Sequence, residues 1–163
     1  MNERTAQIAR AREQASEHVI SLFRIAIGFM MLCHGLALIF GLLGGRPHSG
    51  GSIPALTWPD WWGALLQLVG GALILVGLFT RVTGFVMSGL FAIIYFKMHQ
   101  SSAVLPIQNG GEAAALYSFV FLLLSITGSG QWSLDRLIQQ TQPVRPPLAQ
   151  QPAKQPAHDP VIP

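Results

Sequence analysis

Charge is the scarcest resource in this chain. Of 163 residues, seven are Asp or Glu and ten are Lys or Arg. That is 10% charged, where a soluble domain carries about a quarter. Cysteine is nearly absent: Cys33 stands alone inside an apolar stretch. One thiol forms no internal disulfide and no dithiol relay, so paired-cysteine redox chemistry is excluded. Cys33 reads as a small packing residue. Zinc spacing, phosphate loop, nucleophile elbow and metalloprotease motif are all missing, so no metal site is expected. The net charge of +3 is modest. Its basic residues sit mainly in the two tails and one tight turn, which gives no nucleic-acid patch.

What is present is apolar. Half of the residues are hydrophobic, the mean hydropathy is +0.43, and four long apolar runs dominate. The chain is long enough for one compact unit. A soluble bundle would need a polar stripe on each helix, and none of the four runs shows one. The sequence therefore predicts an all-α, polytopic membrane protein, a bundle of four transmembrane helices with the lipid bilayer as its first partner.

The expected spans are about 19–43, 61–79, 82–99 and 112–128. They follow a polar segment, 1–18, and belong to a membrane domain, 19–140. The first span reaches roughly 37 Å and the last roughly 25 Å at 1.5 Å per residue, against a hydrocarbon core of ~30 Å. Trp58, Trp61 and Trp62 suggest an interfacial aromatic belt. Gly63, Gly70, Gly71 and Gly77, and the pair Gly84 and Ser88, are small residues that let helices approach closely. Pro106 with Asn109-Gly110-Gly111 argues against a helix in the loop before the fourth span. Ser133 reads as the N-cap of a short helix, 134–140, with Asp135 in its first turn. The tail, 141–163, rich in Pro and Gln, is expected to be disordered. Arg and Lys concentrate in the tails and in the turn between spans 2 and 3, so both termini are expected in the cytoplasm.

Polar groups in hydrocarbon are costly and mark candidate sites. Arg24, His34, Gln67, Lys97, His99 and Glu112 lie inside the runs or at their edges, and threading puts all but Arg24 in the outer half. His34 is roughly 13 Å deep, and Gln67 on the next helix is its expected hydrogen-bond partner. Glu112 is either a first-turn carboxylate, the partner of Lys97, or a proton acceptor. Asn109, Gly110 and Gly111 shape the approach to it. Arg24 and Arg81 read as inner-headgroup anchors; Lys97 and His99 as interfacial residues. Haem ligation is disfavoured, because His34 and His99 sit at different depths and no c-type haem motif occurs.

Taken in order, these residues resemble the DoxX family of small four-span bacterial membrane proteins. The resemblance rests on Arg24-x-x-x-Gly28 and His34-Gly35, on Gly70-Gly71, Gly77-Leu78 and Thr80-Arg81, and on Asn109-Gly110-Gly111-Glu112, Gly128-x-Gly130 and Ser133-Leu134-Asp135. It covers roughly residues 20–136. Two positions depart from the family pattern: no lysine follows His34-Gly35, where Leu36, Ala37 and Leu38 stand, and Gln67 replaces a glutamate common before Gly-Gly. The resemblance implies a bacterial inner-membrane protein associated with redox systems, since relatives include subunits of quinone-linked oxidoreductases and a membrane scaffold for oxidative-stress enzymes. The leading expectation is a quinone-like ligand held by His34, Gln67, Asn109, Gly110 and Gly111, with Glu112 and His34 handling protons. The alternative is a non-catalytic scaffold whose cytoplasmic termini recruit soluble redox enzymes. Homo-oligomerisation is left open by the sequence.

Overall fold

The computed structural model of the protein describes residues 2–141 except His48. The described residues hold helices and no strand: α1 (Glu3–Phe40), α2 (Asp60–Val76), α3 (Thr80–Ile94), α4 (Pro106–Asn109), α5 (Glu112–Thr127) and α6 (Leu134–Thr141). α3 continues as a π-helical turn, Tyr95–His99. Two of these are long and apolar enough to cross a membrane, Glu3–Phe40 and Thr80–His99; α2 and α5 are apolar but shorter.

The polar N-terminal segment and the first apolar run form one helix. No Gly or Pro occurs between Glu3 and Ile27 to interrupt it. α4 is a correction to the expected loop: Pro106 occupies its first turn, where a missing N–H costs nothing. The turn between α2 and α3 falls at Gly77–Phe79, just before the 80–81 gap between the expected spans. Of the tail expected to be disordered, Thr141 ends α6 and the rest lies outside the described residues.

Successive apolar helices run antiparallel, and α1 with α2 and α3 with α5 are the closest pairs. A Cβ at Gly28 would collide with the Leu75 backbone, one at Gly35 with Leu68, and one at Gly71 with Leu32. The α1–α2 seam is thus backbone against backbone, a contact that only glycine admits. Across the other pair, Gly84 abuts the backbone of Phe121 and Ser125, and Ser118 donates to the Ser88 carbonyl at 3.1 Å. Met31, Ile74, Met87, Phe91, Ala114, Phe121 and Leu124 form the core, with Phe91 and Phe121 stacked at 5.7 Å. Outward faces are apolar as well. Leu22 and Phe29 on α1, Leu66 and Val69 on α2, Val82 and Phe85 on α3, and Phe119 and Leu123 on α5 are all exposed. A soluble monomer rarely leaves so continuous an apolar surface uncovered.

Arg24 is not a headgroup anchor. It is fully buried, and its guanidinium donates to the carbonyls of Ile74, Leu75, Ser129 and Trp132. Ile74 and Leu75 supply end carbonyls of α2, beyond its last i→i+4 bonds; the Gly77 N–H also reaches the Ile74 carbonyl, at 3.2 Å. Gly77, at φ 72°, follows them in the left-handed conformation, and a Cβ there would meet the Arg24 guanidinium. Asp135 does more than favour its own helix. Its carboxylate accepts from the N–H groups of Phe79 and Thr80, at 2.8 and 3.1 Å, and so caps α3. Its own N–H donates to the Gly77 carbonyl. Ser133 caps α6 as expected, accepting from the Arg136 N–H at 3.3 Å.

Replacing Arg24 with Leu removes the donors and strands the carbonyls they serve. The expected loss is about 1–3 kcal/mol for each carbonyl left buried without a donor, read as a lowered thermal midpoint of the purified protein in detergent. Arg24→Lys, with fewer donors and no planar fork, recovers only part of it.

Candidate functional site

At the end opposite Arg24, the 41–59 loop folds against α2 and α3. The Ile53 N–H donates to the Leu38 carbonyl at 2.8 Å, and the Arg46 N–H to Gly51 at 3.0 Å. Between the loop and the helices lies a largely apolar cavity of about 680 Å³. Leu38, Ile53, Pro54, Trp58, Leu90 and Ile94 supply apolar walls; Arg46, Asp60, Gln67 and Lys97 supply the polar groups. None of its three charged residues forms an ion pair among the described residues, where Arg136–Glu17 is the one salt bridge.

Two residues that line this cavity each carry a buried polar atom without a partner: Arg46 Nε and Gln67 Oε1. Gln67 is 5% exposed. Its amide nitrogen donates to the Gly63 carbonyl at 3.3 Å. A carbonyl only accepts, so the amide must present its nitrogen there and leave Oε1 on the other side. Buried polar atoms are nearly always paired. Both residues line the cavity, so a side-chain rotation would turn an unpaired acceptor or donor toward a ligand or water. Lys97 arrives from the π-helical turn, an element that breaks helical regularity and is frequent at functional sites.

The other expected site residues separate from Gln67. His34 is exposed on α1 and lines a different, shallower cavity of about 370 Å³ with Phe29, Cys33, Leu43 and Pro47. No hydrogen bond joins it to Gln67, whose amide turns to Gly63. Glu112 is exposed at the start of α5 and forms no ion pair with Lys97. Asn109, Gly110 and Gly111 are occupied by the chain itself. The Asn109 side chain donates to Ala103 at 2.8 Å and accepts from the Gly111 N–H at 2.7 Å, while its carbonyl lies 3.2 Å from His99 Nδ1. A Cβ at Gly111 would press on His99 and Tyr95. Arg46 is the residue that sequence reasoning missed. It lies in a loop on the side that the positive-inside pattern leaves poor in basic residues, and that oddity is the one signal the sequence offers for it.

At the Arg24 end a second, more polar crevice of about 520 Å³ is lined by Arg81, Arg136, Glu17 and the Thr127–Gly130 segment. Arg136 donates to Glu17 at 2.8 Å. That bond, with a second from Gln131, holds the Glu17 carboxyl below the usual glutamate range.

Several known proteins are similar to this chain. The DoxX family profile matches residues 19–100. An uncharacterized protein of Haemophilus influenzae is 31% identical over 130 residues, covering 76% of this chain and 92% of that protein. The putative oxidoreductase CatD of Bacillus subtilis is 29% identical over 119 residues, covering 72% of this chain and 84% of CatD. No solved structure matches significantly.

A carboxylate with a lowered folded-state value stabilises above its ordinary value and loses that contribution as pH falls through the lowered one. Below the ordinary Glu17 value of 4.5, α6 should therefore loosen from α1. Hydrogen-exchange protection factors of α6 should drop through that range, and Glu17→Gln should show the low protection already at neutral pH.

Proposed function

Because this chain belongs to the DoxX family, we propose that it is a four-span protein of the bacterial inner membrane serving a quinone-linked or oxidative-stress redox system. Its site is the cavity under the 41–59 loop, where it holds a quinone-class ligand. One observation carries this reading: two residues that line one largely apolar cavity, Arg46 and Gln67, each keep a buried polar atom without a partner, a donor and an acceptor.

A quinone or its reduced form matches that pattern. It has a flat apolar body, with oxygens that accept as carbonyls and donate as hydroxyls. Gln67 Oε1 accepts a hydrogen bond from a hydroxyl; Arg46 Nε, with Lys97 as a further cation, donates to a carbonyl or a developing phenolate. Such cavities are mostly apolar with a few placed polar groups. The putative oxidoreductase label of the Bacillus subtilis relative supports a redox association. This reading keeps Gln67 from the expected set and replaces the grouping with His34 and Glu112 by Arg46 and Lys97.

The membrane part draws on the exposed apolar faces of all four long helices and on the distribution of charge. Arg81 and Arg136 line the crevice at one end, Arg46 and Lys97 the cavity at the other. The N-terminal arginines extend from the first end, and the positive-inside rule turns that end, with both termini, to the cytoplasm. α2 and α5 span roughly 25 Å each; the interfacial residues beyond them and local thinning of the bilayer make up the difference.

Equilibrium dialysis of the purified protein with a short-chain benzoquinone tests the ligand. Gln67→Leu should weaken binding about tenfold, the effect of one hydrogen bond lost in a buried site. His34→Ala and Glu112→Gln should leave it within about twofold, a change well under the 1.4 kcal/mol that tenfold represents. Larger losses in those two than in Gln67→Leu would move the ligand to the His34–Glu112 side.

A further inference from the structure

The crevice at the Arg24 end has no part in the quinone reading, yet it is built from unusual material for a membrane protein. Arg81 projects from the first turn of α3. It lies over the Gly128 backbone, so closely that a Cβ on Gly128 would come within 3.2 Å of Arg81 Nε. Among the described residues, its guanidinium makes no hydrogen bond and no ion pair. Arg136 faces the same crevice from α6 and commits one nitrogen to Glu17, which leaves the other side of its fork unused. The N–H groups of Ser129 and Gly130, in the segment between them, donate to no described acceptor. With Glu17 as the one carboxylate, the charged lining is two cations against one anion.

Apolar surface begins at the rim. Val19 and Leu22 on α1, Val82 on α3 and Ile126 on α5 are each more than half exposed, next to Ile20, Arg81 and Thr127 of the lining. The combination is a cationic pocket at the edge of an apolar belt. We propose that this crevice is a phosphate-binding site, with Arg81 and the free side of Arg136 gripping one singly charged phosphate. An anionic phospholipid supplies it, the headgroup in the crevice and the acyl chains along the apolar rim. A guanidinium fork matches phosphate oxygens in pairs, and one phosphodiester charge neutralises the net charge of the lining. The contact expected of Arg81 with the headgroup region thus becomes a defined two-arginine site. This holds whether or not the Gln67 cavity binds a quinone.

Native mass spectrometry of the full-length protein in detergent, titrated with phosphatidylglycerol or phosphatidylcholine, tests it. Thermal stability in inorganic phosphate, against chloride at equal ionic strength, is a second arm. The expected result is preferential retention of phosphatidylglycerol, cut roughly tenfold by Arg81→Gln, the effect of losing charge-assisted hydrogen bonds. Arg81→Lys should keep part of the preference, and Arg4→Gln, on the polar start of α1, should keep all of it. Stabilisation by inorganic phosphate that Arg81→Gln removes, without lipid preference, would support the phosphate site and assign its source to the free anion. Equal retention of both lipids with no phosphate effect would overturn the proposal. So would a preference unchanged in a folded Arg81→Gln protein, or one lost equally in Arg4→Gln, which marks diffuse charge attraction.

Discussion

The buried guanidinium of Arg24 is the constraint on which one whole end of the molecule depends. A charge removed from water is tolerated only when its hydrogen bonds are met. Arg24 meets them with neutral backbone carbonyls from α2 and from the 129–132 segment. Those carbonyls are far apart in the chain, so the side chain works as a clamp: α1 cannot move relative to α2 or to the α5–α6 connection without stranding a donor. Everything nearby is placed by that clamp. Gly77 turns under it, the Asp135 N–H closes onto the Gly77 carbonyl, and the Asp135 carboxylate caps α3. Ser21 adds to the same knot, accepting from the Trp132 N–H at 3.2 Å.

A fixed end and a glycine seam together explain why a cavity can exist at the other end. Backbone contact at Gly28, Gly35 and Gly71 holds α1 and α2 at minimal separation. Beyond Gly35 the two helices give way to the 41–59 loop, and α3 loosens into a π-helical turn. Helix packing ends there, and side chains on loop and helix enclose space in place of filling it. Arg46 and Gln67 can keep unpaired atoms only because the surrounding frame is over-determined elsewhere.

Much of this architecture was legible in the sequence. Four apolar runs became four helices, Ser133 became a cap, and the small pair Gly84 and Ser88 became a contact, because each depends on neighbours a few residues away or on a single face of one helix. Arg24 was misread for the opposite reason. A lone arginine near one end of an apolar run looks the same whether it reaches headgroups or backbone carbonyls, and its partners here lie 50 to 108 residues away. Asp135 was likewise credited with its own helix when it serves another, 55 positions back. The site was half legible. Gln67 stood out as a polar residue in an apolar run, but its pairing with His34 assumed facing orientations that helix rotation denies. Asn109-Gly110-Gly111 looked ligand-shaped, and its hydrogen bonds instead close its own turn. Arg46 sits in a loop rich in Gly and Pro, where no periodicity points a side chain anywhere.

The departure at position 67 bears on what the cavity can do. A glutamate there, as in the family pattern, would set a carboxylate against Arg46 and Lys97 and, with Asp60, balance the charge of the lining. Gln67 keeps an oxygen acceptor at the same place but contributes no charge, so the lining stays one positive charge in excess. In a low-dielectric pocket that excess is not neutral in effect: it favours ligands that carry or develop negative charge and disfavours cations. In the proposed function, an amide acceptor in a net-positive apolar cavity would accept from a ligand hydroxyl while the cations stabilise negative charge elsewhere on the same ring. The amide at position 67 is therefore compatible with the proposed oxygen-bearing aromatic, with the cations in place of a protein carboxylate setting the electrostatics of the cavity.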